Sequence, residues 1–89
     1  MSRPIRDPEE LEMRTHAYDM AKSRNIGAFE IKKAISEGDA EVGGGATEDF
    51  DMYRLEFPGP DLIVIVKVPV KKIWTVYYDN EQGAQGGGI

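Results

Sequence analysis

The chain has no cysteine, which excludes a disulfide-stapled scaffold, a thiolate metal site and a cysteine nucleophile. Histidine occurs once, at His16, so zinc sites built from several histidines are excluded as well. Neither a metal nor a cofactor is expected. Long apolar runs are also missing. The longest, Leu62–Val66, has the length of a strand and falls far short of the roughly 18 residues that a membrane-spanning helix needs. Arg3, Arg6 and Asp7 stand where a secretory signal would be apolar, so the expectation is a cytoplasmic protein without membrane contact. Basic charge is scarce too: 11 Lys and Arg against 16 Asp and Glu give a formal net charge of −5. Phosphate backbones are bound chiefly through Lys and Arg, so this balance weighs against a nucleic-acid partner.

What is present fits a single small domain. The chain has 89 residues, 40% of them hydrophobic, enough for one thin core with little stability to spare. A second subunit would add buried area, and homodimerisation is a reasonable expectation on that ground. Residues 7–79 carry the periodic apolar pattern. Residues 1–6 and 80–89 lack it and are expected to be flexible tails.

Asp7-Pro8-Glu9-Glu10 reads as a helix start, with Asp7 as the cap, Pro8 at the first helical position and Glu10 at capping-box spacing. Met13, Ala17, Met20 and Ala21 then recur at helical spacing, and this helix is expected to end near Ser23–Asn25. A second helix is expected over Ala28–Glu37, its stripe formed by Ile31, Ala34 and Ile35. Gly38 follows as a stop that can take the left-handed conformation. Gly43-Gly44-Gly45 and the polar residues after it lack the Lys-Ser/Thr of a phosphate cradle and read as a flexible loop.

Phe50–Phe57, Leu62–Val68 and Ile73–Tyr78 read as strands by their β-branched and aromatic content. The second is apolar at nearly every position and should be central and covered on both faces. The turn residues Pro58-Gly59-Pro60-Asp61 and the short break at Pro69–Lys72 imply an antiparallel meander, with Ala40–Val42 as a short edge strand. The expected fold is therefore α+β, with two N-terminal helices packed on one face of a three- to four-stranded antiparallel sheet. Strict alternation would place Trp74, Val76 and Tyr78 on one face of the last strand, with Trp74 and Val76 marking it as the better core candidate. Ile73, Thr75 and Tyr77 would lie on the other.

Several of these residues carry a family likeness. His16-Ala17, Met20, Arg24 and Ile26 in the first helix, the helix ending at Glu37-Gly38, and the closing Ile73-Trp74-Thr75-Val76-Tyr77 resemble a family of small uncharacterised bacterial and archaeal domains. That family is grouped with the RelE and BrnT toxins in the barnase–EndoU–colicin–RelE class of ribonucleases. The resemblance spans residues 14–78 and implies metal-independent RNA cleavage, in which a 2′-hydroxyl attacks the adjacent phosphate. It implies RNA or an antitoxin-like protein as partner.

Carried over residue by residue, His16 would be the acid or base, because an imidazole titrates near neutrality. Arg24 would face the phosphate with its planar fork of donors. Thr75 and Tyr77 would supply hydroxyls, while Arg54 and Lys67 on neighbouring strands would be RNA-binding cations. Each residue also has a structural explanation. His16 borders the apolar stripe, Arg24 suits the negative end of a helix dipole, and Thr75 and Tyr77 are ordinary strand residues. The alternative function is a non-catalytic interaction module on the same scaffold, with a small-ligand regulatory protein as a third reading.

Overall fold

The computed structural model describes residues 4–44, 47–56 and 59–79. Its strands and helices are β1 (Glu12–Met13), α1 (Thr15–Ser23), α2 (Ala28–Glu37), β2 (Asp39–Glu41), β3 (Phe50–Leu55), β4 (Leu62–Lys67) and β5 (Lys72–Tyr78). The fold is α+β, and the sheet has five strands in the order β1-β5-β4-β3-β2. It is mixed, because β1 pairs with β5 in parallel while the other pairs are antiparallel. The expected sheet of three or four antiparallel strands is thereby corrected.

The fifth strand comes from residues expected to be helical. Asp7 does cap, accepting from the Glu9 N–H at 2.9 Å, but the helix that follows is only a 3-10 turn over Pro8–Glu10. The chain then extends along the free edge of β5. Glu12 N–H donates to the Lys71 carbonyl and Arg14 N–H to the Ile73 carbonyl. A helix running unbroken from Pro8 would leave those edge carbonyls without these donors. Leu11 and Met13 still reach the core, so the apolar pattern survives the change of backbone.

α1 ends in a Schellman motif. Asn25 takes a left-handed φ of 59°, Ile26 N–H reaches the Ala21 carbonyl, and Asn25 N–H reaches the Lys22 carbonyl. Gly27 then caps α2, its N–H donating to Glu30 Oε1 at 2.9 Å. α2 spans the expected residues, but Gly38 stops it for another reason. Its backbone is extended (φ −72°, ψ 171°), not left-handed. A Cβ there would stand 2.6 Å from both the Ala34 and Arg54 carbonyl oxygens, so glycine is required by close packing of α2 against β3.

Ile5 and Arg6, expected to be part of a loose tail, are held to the domain. Arg6 Nη1 donates to the Ile35 carbonyl at 3.2 Å and the Gly38 carbonyl at 2.6 Å, placing a cation at the negative end of α2. The Tyr53 hydroxyl donates to the Ile5 carbonyl at 2.8 Å. The expected tail at 80–89 and the central Gly45-Ala46 of the glycine loop lie outside the described residues. Gly43, at the loop's start, donates its N–H to the buried Asp51 carboxylate at 3.0 Å.

The core joins Ala17 and Ala21 of α1 and Ile31, Ala34 and Ile35 of α2 to Tyr53, Leu55, Leu62, Val64, Val66, Ile73 and Val76 of the sheet. Alternation along β3 and β4 makes this one face, with both helices on it. On β5 the alternation is interrupted. The register pairs Ile65 with Thr75 but Val66 with Ile73, so Trp74 is the extra residue of a β-bulge. The bulge puts Ile73 and Val76 on the core face together, whereas strict alternation would separate them. Trp74 instead contacts Phe50 and Lys67 on the opposite face, which corrects its assignment to the core.

Candidate functional site

The face of the sheet away from the helices is laid out in three rows by the strand register. At one end lie Glu12, Lys72, Lys67 and Phe50, in the middle Thr75, Ile65, Met52 and Glu41, and at the other end Tyr77, Ile63, Arg54 and Asp39. Trp74 adds its indole between the first two rows through the bulge. Among the described residues no helix or loop packs over this face. Ile63 and Ile65 are nonetheless buried, at 1% and 8% exposure, with Arg54 and Tyr77 beside the first and Met52 and Thr75 beside the second. Phe50, Met52, Trp74, Thr75 and Tyr77 are half-buried and form the accessible surface.

Two charge clusters frame these rings. At the first end, Arg14 lies over the Trp74 ring, 3.7 Å from its centroid, and donates from Nε to the Trp74 carbonyl at 2.8 Å. Lys67 Nζ stands 4.7 Å from the Trp74 centroid and 5.7 Å from that of Phe50, and the two rings meet edge to face at 6.0 Å. Such contacts fix the orientation of the aromatic rings. At the other end Arg54 donates to Asp61 at 2.8 Å and Asp79 at 3.1 Å. Those hydrogen bonds, Asp61's first, hold the guanidinium more firmly protonated than usual. Burial, and then the neighbouring Asp79, push the Tyr77 phenol up.

The candidate residues divide between the two sides of the sheet. Thr75, Tyr77, Arg54 and Lys67 share the open face. His16 and Arg24 belong to the helical layer on the other side, and one is about 12 Å from the other along α1 at 1.5 Å per residue. His16 is exposed in the first turn, and among the described residues no hydrogen bond or ion pair orients its imidazole. Arg24 caps the end of α1, its guanidinium near Met20 Sδ and Ser23 Oγ at 3.3 Å each. The structure thus puts four of the six on one face, with Lys67 at one end and Arg54 and Tyr77 at the other, and leaves the proposed acid-base group and phosphate cation on the other side of the sheet. Arg54 already has two carboxylates, so its charge is largely matched before any ligand arrives.

Among the described residues, two depressions lie outside the middle of the open face. One, of about 80 Å³, sits between the helices and is lined by Met13, Tyr18, Ala21, Ile26 and Ile31. The other, of about 210 Å³, lies between α2 and β3 and is lined by Glu37, Asp39, Arg54 and Glu56 among others. Neither contains His16. Among the described residues no group of three or more His, Asp or Glu side chains could hold a metal ion, and no helix is long and apolar enough to cross a membrane.

Sequence reasoning missed Arg14 and Glu12. Arg14 finds Trp74 across a sequence separation of 60, and neither residue lies in a motif that announces the contact. Comparison with protein-family models, with curated proteins and with solved structures returns no match.

Proposed function

We propose that the chain is a non-catalytic interaction module that binds a protein through the open face of its sheet. One observation carries this reading: Phe50, Met52, Trp74, Thr75 and Tyr77 form an apolar, partly exposed surface with no second layer on it among the described residues. Aromatic residues and Met are enriched at the centres of protein interfaces, and charged groups at their rims. Here Met52 and Thr75 lie between the two charge clusters, and the rings sit against the clusters at either end. On this reading the likeness to the RelE and BrnT toxins is one of scaffold, with the nuclease chemistry lost, and the module acts in the cytoplasm. A ribonuclease would need His16 and Arg24 at the same phosphodiester as Thr75 and Tyr77, and the sheet lies between them.

Site-specific photocrosslinking tests the reading. A photoreactive residue at Thr75, on the open face, is expected to give a discrete protein adduct in cells. The same residue at Asp19, exposed on α1, is expected to give none. Absence of any adduct from Thr75 would overturn the proposal. A crosslink within the chain itself would also overturn it, by assigning the face to the chain's own C-terminal residues.

A further inference from the structure

The geometry points to a second copy of this chain as the protein that occupies the open face, an inference that rests on the interaction-module reading and names its partner. Its basis is the polarity of the face along the strands. At the end where β5 begins, Lys67 and Lys72 lie in the end row with Glu12, beside Arg14 and next to Lys71. Asp49, whose carbonyl accepts from Val68 N–H, and Glu48 before it are further acids near this end, and Lys72 Nζ stands 4.0 Å from Glu12 Oε1. At the end where β5 finishes, Arg54, the one cation there among the described residues, stands with Asp39, Asp61 and Asp79, and Glu56 follows β3. One end of the face is basic and aromatic, the other acidic, and the middle row of Thr75, Ile65 and Met52 is uncharged.

A surface of this kind complements itself. A two-fold axis lying between two stacked sheets and running across the strands places the basic end of each copy over the acidic end of the other. The same rotation brings the middle rows together around the axis. Lys72 of one protomer then approaches Asp79 of the partner subunit, and Lys67 approaches Asp61 of the partner subunit. The Phe50 ring comes beside Arg54 of the partner subunit. Sheets pack face to face about 10 Å apart with strand directions within about 30° of each other, which keeps the rows in reach. Glu41 is exposed at the rim, where water screens it from its symmetry mate. No other rotation of two such faces matches both ends at once, and a parallel stacking would set lysine against lysine.

Charge reversal tests the inference in purified protein, with mass in solution read by sedimentation equilibrium and folding checked by circular dichroism. The unmodified chain is expected to sediment at twice its 9.9 kDa, and added salt is expected to weaken the association. A Lys67→Glu/Lys72→Glu variant sets acid against acid at both contacts. An Asp61→Lys/Asp79→Lys variant sets base against base at the same two contacts. Each alone is expected to dissociate about 100-fold more readily, because like charges across an interface are strongly unfavourable. An equimolar mixture of the two is expected to recover the dimer, since every reversed end then meets its complement.

A monomeric unmodified chain would overturn the inference whatever the variants do. A dimer unaffected by either reversal, or a mixture that stays monomeric while both variants remain folded, would overturn it too. If the chain is monomeric but Thr75 still crosslinks to a different protein, only the identity of the partner fails. If it is monomeric and Thr75 crosslinks to nothing, the interaction-module reading fails with it.

Discussion

The Arg14 guanidinium covers the Trp74 ring at 3.7 Å while its Nε holds the Trp74 carbonyl at 2.8 Å. One side chain thereby fixes both the ring and the backbone of the bulged residue that turns Trp74 onto the open face. Arg14→Ala is expected to cost about 1–2 kcal/mol, combining a lost hydrogen bond and a lost cation–π contact. Arg14→Lys should recover only part of it, because an ammonium cannot stack as a planar guanidinium does. Urea unfolding gives the magnitude, and Trp74, the only tryptophan, reports its own environment by fluorescence. Unchanged stability and emission would contradict the assignment.

Gly38 has no room for a methyl group. The Ala34 and Arg54 carbonyls would each meet it at 2.6 Å, and neither is a flexible side-chain tip that can move aside. Gly38→Ala is expected to destabilise the fold by about 1–3 kcal/mol, the scale of overpacking. If conformational entropy governed the site, the same change would stabilise it. The sign of the shift in urea midpoint decides between them.

Tyr53 makes stability depend on alkaline pH. Burial first, and then nearby Asp51, push its phenol up to about 12 from an ordinary value near 10.0. The folded state therefore binds this proton more tightly than the unfolded chain. The associated stability is intact below pH 10 and falls as pH rises from about 10 to 12, by about 3 kcal/mol at 1.36 kcal/mol per pH unit. Tyr53→Phe should remove that part of the alkaline decline. It should also cost about 1 kcal/mol near neutrality through the lost bond to Ile5. An identical alkaline profile in wild type and variant would refute the assignment.

His16 provides a test of chemistry. With chelator present and single-stranded RNA as substrate, the purified chain is expected to show background cleavage, unchanged in His16→Ala. The same variant should melt with the wild type, since the exposed imidazole has no partner among the described residues. Cleavage that leaves 2′,3′-cyclic ends and drops by about 10²-fold in His16→Ala, the scale of a positioned acid or base, would restore the ribonuclease reading.

Much of the architecture was legible in the sequence. The stripe of Ile31, Ala34 and Ile35 located α2, and the unbroken apolar run at Leu62–Val66 located the central strand. Where reading failed, a long-range partner overrode a local pattern. Glu12 and Met13 sit within a helical repeat, yet the free edge of β5 draws them into a strand. Gly38 looks like a left-handed stop until the Arg54 carbonyl, supplied by β3, explains it. The bulge at Trp74 has no local sign, and one extra residue was enough to move the indole to the other face of the sheet. The candidate site was half legible for the same reason: strand residues were placed on neighbouring strands correctly, but which layer His16 and Arg24 share depends on where α1 packs.

Hydroxyl-radical footprinting of the chain in cells, compared with dilute purified protein, bears most directly on the open face as the interaction surface. Met52, Trp74 and Tyr77 are expected to be protected in cells, while Tyr18 and Phe29, exposed at 54% and 75% on the helical side, react equally in both. Protection of Tyr18 and Phe29 with the open face unchanged would contradict the account and place the interaction on the helices.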